Sequence, residues 1–474
     1  MRPPEVLAAL GIDGAVAYAL LARSVNIVGS AGTVLLIVSF LTPIEQGYYY
    51  TLLSLVSLQV VFEMGFSFVV QQLAAHESIE LKFDALGSVT GDAVAHARLA
   101  SALQLSVRWY TVAATAMGLI VSPLGLVFFA RHSSTAVEVS WQGPWLMAVA
   151  VSMAGLWCVP FYAFIEGCGE VRAVAAMRLR QAVASAVLAW AAMLLRHGLY
   201  APALVILGQI VPGLLFLAAR RPLLAKLLRY PARISAIHWS SEVWPFQWRI
   251  AVSWMCSYFT VQVFIPILFA LRGPVEAGAM GMSLSITGYM TVLALVWTST
   301  KATPFGHMIA RKEFQALDRF FFRTLRHTIA AFAAVAIACI AVVALLPYAA
   351  PHLAARMVPA WLFAALVLGA GANLIVQCLA TLLRAFKREP FLIQSLAAAL
   401  LTLLLARCTA PRWGNVGAAI SYFTVTASVA LPSALTIFAR ARRDYLAIGS
   451  VAACSQRVQC RGPVQLARAE EGQI

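Results

Sequence analysis

Residues 328–346 read TIAAFAAVAIACIAVVALL, nineteen positions without a charge or a proline. A bilayer core of about 30 Å needs roughly 20 apolar residues in a helix. Lipid offers the backbone no hydrogen-bond partner, so such a run is helical or part of a closed barrel. Barrel strands are short and alternate in polarity. This run is long and continuous, so it reads as a helical membrane span.

The rest of the chain follows the same pattern. Of 474 residues, 61% are hydrophobic and 11% charged, and the mean hydropathy is +0.82. Soluble domains run near a quarter charged, and no long polar stretch is present to form one. Twelve spans are placed near 15–40, 47–72, 104–130, 144–165, 174–195, 201–219, 250–271, 278–300, 327–347, 357–383, 391–408 and 415–439. The fold class is therefore an all-α polytopic membrane protein with about 12 transmembrane helices. The start, Met1 to Asp13, lacks the short apolar stretch and cleavage site of a signal peptide.

The net charge of +16 is spread in short clusters between apolar runs. That distribution suits cytoplasmic loops and argues against nucleic acid as a partner. With the N-terminus inside, 28 of the 35 Lys and Arg fall on the cytoplasmic side. They include Arg172, Arg178 and Arg180, the runs Arg220–Arg233 and Lys301–Arg326, and Arg384, Lys387 and Arg388. Arg131, Arg196, Arg272, Arg356, Arg407 and Arg412 fall outside, and Arg23 lies within the first span. A span missed or added in the middle would scramble this alternation. Both termini are expected in the cytoplasm. The inner loops 73–103, 220–249 and 301–326 are the longer ones. Ile237 to Arg249, with Trp239, Trp244 and Trp248, reads as an interfacial entry at headgroup depth.

A five-residue pattern divides the spans. Pro43-Ile44-Glu45-Gln46-Gly47 follows the first span, and Pro274-Val275-Glu276-Ala277-Gly278 follows the seventh. Both fit PxExG and both precede a long apolar run. Six is even, so the two halves enter from the same side and are parallel repeats, with a substrate site expected between them. The plainer alternative is a shared hairpin turn punctuated by Pro and Gly. The expected division is 1–220, 221–249 as linker, 250–440, and a basic disordered tail at 441–474.

Ionisable groups inside spans are costly and mark function by default. Arg23 and Glu63 lie at similar depth on consecutive antiparallel helices, which makes an ion pair plausible, either a substrate site or a structural bridge. Asn26 and Gln59 extend that polar strip. In the second half Arg249 is followed by Tyr258 and Gln262. Trp297 ends the eighth span, and Asn373 and Gln377 share a face of the tenth. Arg suits a diphosphate or carboxylate through its planar fork. Rings and amides suit sugars. These ten residues form the candidate cavity set.

The eight cysteines, Cys158, Cys168, Cys256, Cys339, Cys378, Cys408, Cys454 and Cys460, form no CxxC pair. No metal or disulfide framework follows. There is no Walker A, HExxH or GxSxG sequence, and no catalytic residue or cofactor is assigned. The chain reads as a transporter rather than an enzyme.

The sequence resembles the polysaccharide transporters, including O-antigen flippases, of the multidrug/oligosaccharidyl-lipid/polysaccharide (MOP) flippase superfamily. The likeness runs from Arg23 through Leu41-Thr42-Pro43-Ile44-Glu45-Gln46-Gly47-Tyr48-Tyr49. It resumes at Trp244-Pro245-Phe246-Gln247-Trp248-Arg249, Pro266, Gly273 to Gly278, and Trp297 to Pro304. It ends at Leu383-Arg384-Ala385-Phe386-Lys387-Arg388-Glu389-Pro390. The resemblance implies a MATE-like fold, two six-helix lobes around a central cavity that rock in alternating access. It implies a polyprenyl-diphosphate-linked oligosaccharide as cargo, moved across a bacterial inner membrane. Arg23 and Arg249 would meet its phosphates. A proton or sodium ion could couple through Glu63. Membrane lipids and other polysaccharide-assembly membrane proteins would be partners. The alternatives are a cation-coupled multidrug exporter of the same fold and a membrane-embedded glycan-modifying enzyme.

Overall fold

The computed structural model describes residues 14–79, 81–84, 89–132, 139–231, 237–386 and 390–447. Outer and inner below denote the sides assigned by the Lys and Arg distribution. Among the described residues the chain is helical apart from one hairpin. Its strands β1 (Leu81–Phe83) and β2 (Val89–Gly91) are antiparallel, with Lys82 opposite Thr90.

Helices α1 (Gly14–Phe40) and α2 (Pro43–Val56) meet at a tight outer corner. Thr42 caps α2: its hydroxyl accepts from the Glu45 N–H at 3.2 Å, and the Glu45 carboxylate accepts from the Thr42 N–H at 2.8 Å. Pro43 takes the first helical position, where a missing N–H costs nothing. The first PxExG segment is therefore a capping box that starts a helix, not a loop between spans. The second likewise opens a helix at Pro274, after Gly273 at φ +94.

The second span is broken. After α2 come α3 (Gln59–Glu63) and α4 (Phe66–Glu77), bent by 42° across Met64 and Gly65, both left-handed. Helix α5 (Ala93–His132) runs 40 residues, about 60 Å at 1.5 Å per residue. Its length exceeds the hydrocarbon core, so its first turns stand clear of it. Next come α6 (Gln142–Gly167), α7 (Val171–Leu194), α8 (Ala201–Ala219) and α9 (Arg221–Arg229). Then follow α10 (Trp244–Val261), α11 (Phe264–Arg272), α12 (Pro274–Ser299), α13 (Ala302–Ala310), α14 (Phe314–Ala349) and α15 (Ala360–Ala385).

The last helical run, Leu392–Ala447, is not straight. Gly414 stands at φ 52 and ψ −129. Thr409 and Ser421 hydroxyls lie 3.0 Å apart, whereas twelve residues of continuous helix would separate them by about 18 Å. The chain reverses there, as expected between the eleventh and twelfth spans. Nine described helices are long and apolar enough to cross a membrane, ten with the bent pair. The count of twelve stays a sequence reading. The inner stretches expected as loops are largely helical, and the helix continues to Ala447, past the expected start of the tail at 441; the remainder of that tail lies outside the described residues.

The described residues form two compact units. One takes in those up to Ile286 with Leu345–Pro359 and Ala399–Ser421. The other is Thr287–Ala344, Ala360–Ala398 and the described part of Tyr422–Ile474. Within the first unit, α1 lies along α7. Gly29 and Gly32 admit Ala186 and Trp190 there, and a Cβ on Gly32 would meet the Trp190 ring at 2.6 Å. Trp239 stacks on Trp109 at 4.7 Å and meets Phe66 edge-on. It is thus half-buried against these two rings. Trp244 and Trp248 remain exposed.

The second unit is held by small polar contacts. Thr298 and Thr328 hydroxyls meet at 2.9 Å, and Cys378 Sγ lies 3.3 Å from Thr298. At its inner end Arg442 grips Asp318 through two bonds of 2.7 Å, Tyr445 donates to the same carboxylate, and the Tyr445 ring stacks on Phe386. The six described cysteines are free thiols.

Candidate functional site

A cavity of about 500 Å³ opens between α1, α6, α7 and α8. Arg23 and Asn26 reach it from α1, three residues apart and so on one face. Glu166 enters from the end of α6. Arg178, Gln181 and Ser185 project from α7 at helical spacing, and Gln209 comes from α8. Glycine makes room: a Cβ at Gly208 would strike the Ser185 backbone at 2.5 Å, so α7 and α8 pack backbone to backbone beside the cavity.

The polar lining is ordered by hydrogen bonds. Arg178 donates to Glu166 at 2.6 Å. Gln181 donates to the Gln209 carbonyl at 2.6 Å and Ser185 to the Val205 carbonyl at 2.8 Å. The ionisable lining residues are two arginines and one glutamate. Arg178 is matched to Glu166.

The expected Arg23–Glu63 bridge is not formed. Glu63 accepts from Ser67 Oγ at 2.7 Å and has Tyr110 beside the same carboxylate. Equal height on two spans does not make them neighbours: α1 is drawn to α7 by its glycines, while Glu63 sits at the break in the second span. Arg249 does not line the cavity either. It is exposed and folds over the neighbouring Trp248 ring, 5.5 Å away.

The remaining expected residues are dispersed. Gln59 opens the short α3. Tyr258 is buried and donates to the Ser54 carbonyl at 3.2 Å. The Gln262 carbonyl accepts from Ser54 Oγ at 2.7 Å, at the joint between α10 and α11. Both belong to packing between the second and seventh spans. In the other unit Trp297 is exposed, Asn373 bonds to Tyr422, and Gln377 gives its carbonyl to Thr381.

No family model matches the sequence. No curated protein matches it. Solved structures do. An inward-facing multidrug resistance MATE family transporter of the MOP superfamily superposes with a TM-score of 0.56 at 13% identity, over 90% of this chain and 99% of that one. A point mutant of the Vibrio cholerae MATE transporter VcmN gives 0.56 at 14%, over 90% and 96%. The lipid II flippase MurJ, in an inward closed conformation, gives 0.55 at 11%, over 93% and 92%.

The fold is MATE-like. Within this MATE-like chain, Glu166, Arg178, Gln181, Ser185 and Gln209 are cavity residues that counting spans passes over. By charge alone Arg178 goes to the inner face. The spacing Arg178, Gln181, Ser185 is the legible signal, since positions three and four apart share a helix face.

Proposed function

We propose that the chain is a flippase that carries a polyprenyl-diphosphate-linked oligosaccharide across the bacterial cytoplasmic membrane by alternating access. The observation that carries this reading is the pair of arginines among the lining residues of the cavity, Arg23 and Arg178. A diphosphate head supplies the matching negative charge. The amides of Asn26, Gln181 and Gln209 offer donors and acceptors of the kind that sugar hydroxyls use. Sharing a fold with a lipid II flippase supports the class of cargo.

Alternating access requires contacts that close one face and later part. Within the first unit, Arg356 donates to the Leu41 carbonyl at 2.7 Å. The Gln46 amide donates to the carbonyls of Arg356 and Gly278, both at 3.0 Å. These bonds tie the outer starts of the second and eighth spans, and we assign them as the outer seal. A proton or sodium ion is the proposed driving partner. Other polysaccharide-assembly membrane proteins are proposed to supply and receive the cargo.

Purified protein in liposomes should move a lipid-linked glycan between leaflets. No movement in a correctly oriented preparation removes the reading. A second reading, a multidrug exporter, is favoured by the likeness to a multidrug resistance transporter. The two arginines in the lining disfavour it for cationic drugs. Deletion that lowers drug resistance and leaves surface glycan intact would select that reading.

A further inference from the structure

Helix α14 sets all its arginines on one face. Arg319, Arg323 and Arg326 are exposed and follow one another at steps of four and three residues. Such steps keep to one side of a helix. The same steps continued along α14 reach Ala330, Ala333 and Ile337, which are exposed and apolar. The opposite side is buried through Leu317, Phe321, Thr328 and Phe332. One outward strip of α14 therefore runs from three guanidinium groups straight into a row of alkyl groups.

The apolar run sets the depth of that strip. The nineteen residues 328–346 extend about 28 Å as helix, against about 30 Å for the hydrocarbon core. Arg326 thus stands at the edge of the core, with Arg323 and Arg319 about 4.5 and 10.5 Å beyond the level of Arg326. The headgroup layer takes up about 5–8 Å on each side, so Arg326 and Arg323 fall within it. Their charge is not spent inside the protein. Asp318, the carboxylate beside Arg319, is turned to Arg442, which holds it with two bonds of 2.7 Å. Arg319 donates to the Gln315 carbonyl of its own helix at 3.4 Å. Among the described residues no ion pair takes up Arg319, Arg323 or Arg326. A guanidinium fork at this depth matches a phosphate, which it can bind through two parallel bonds.

We infer that this strip binds an anionic phospholipid of the inner leaflet, its phosphate held by Arg323 and Arg326 and its acyl chain laid along Ala330, Ala333 and Ile337. Juxtamembrane clusters of Lys and Arg attract anionic headgroups in this way. The bound lipid anchors the inner end of the ninth span at a fixed depth. The site lies on the outward face of α14, apart from the cavity, and needs neither the cargo nor the flippase reading.

The test is titration of the purified full chain, in a neutral detergent and without cargo, with dioleoyl phosphatidylglycerol or dioleoyl phosphatidylcholine. Native mass spectrometry counts the lipids bound per chain. Phosphatidylglycerol should bind about tenfold or more tightly than phosphatidylcholine. Arg323→Gln and Arg326→Gln should each weaken its binding by about fivefold, and the pair by about tenfold or more, with phosphatidylcholine unaffected. Arg323→Lys with Arg326→Lys, which keeps the charge, should retain most of the preference. Size-exclusion and circular dichroism profiles identify variants that keep the fold. A wild type without preference for phosphatidylglycerol leaves the strip to solvent or to an acidic protein and overturns the proposal, whatever the variants do. So does binding that persists unchanged in the folded double Gln variant. Arg172→Gln with Arg180→Gln removes as much exposed charge from α7 and should leave the preference standing; an equal loss there assigns binding to overall charge and overturns the site.

Discussion

Arg23 lines the cavity of the first unit. A charge-assisted bond to phosphate contributes about 1.5–3 kcal/mol, or about ten- to a hundredfold in affinity. Arg23→Gln should therefore raise the half-saturating concentration of an anionic lipid-linked glycan by about tenfold or more. Arg178→Gln should act differently, because it strips Glu166 of its partner. A double variant, Arg178→Gln with Glu166→Gln, removes the carboxylate left without its arginine and should recover part of the loss. Transport titrations on the three variants check this. Arg23 itself was legible as a charge within a span. Its partners were not, because hydropathy gives the height of a residue and not the helix it faces. Gly29 and Gly32 hold the answer, as the seats of Ala186 and Trp190, and small residues in a span name no partner by themselves.

At the scale of elements, the repeated PxExG segments are the best case of sequence foresight and also its limit. Their Pro and Glu are helix-start signals, and Thr42 with Glu45 closes the box. What the pattern could not convey is that the two starts touch. A Cβ on Gly47 would fall 2.0 Å from the Pro274 carbonyl oxygen, and one on Gly278 would fall 2.9 Å from the Gly47 nitrogen. The glycines allow that backbone contact. Gly47→Ala must push the helix starts apart. It should cost about 1–3 kcal/mol, as overpacking does, and lower the thermal midpoint; an unchanged midpoint would refute the contact.

The inner end has its own tie. Arg98 at the start of α5 bridges buried Glu77 at 2.9 Å and exposed Glu242 at 2.7 Å, just before α10. The His238 backbone N–H, then Arg98, holds the Glu242 carboxyl below its ordinary 4.5. A lowered folded value means stability present above about pH 4.5 and lost as pH falls through the folded value. The thermal midpoints of wild type and Glu242→Gln should differ at neutral pH and converge in acid. A difference that persists unchanged at pH about 3 would contradict the bridge.

For the whole molecule, the class came from apolarity, because the bilayer imposes a length, and the orientation is an expectation from the Lys and Arg bias. The reversal at Gly414 lay within the expected spacing of the last two spans. The cavity and the broken second span were harder to see. Glu63 and Arg23 looked like one site since both are charges at similar depth, and the structure sets them apart: Arg23 lines the cavity and Glu63 sits at the break in the second span. The most direct test of the transporter claim is transbilayer movement in liposomes of a fluorescent polyprenyl-diphosphate glycan, with wild type and Arg23→Gln side by side. Protein-dependent movement that Arg23→Gln slows by about tenfold or more is the result expected. No movement by wild type, with uptake of a lipophilic cation by the same vesicles, would contradict it.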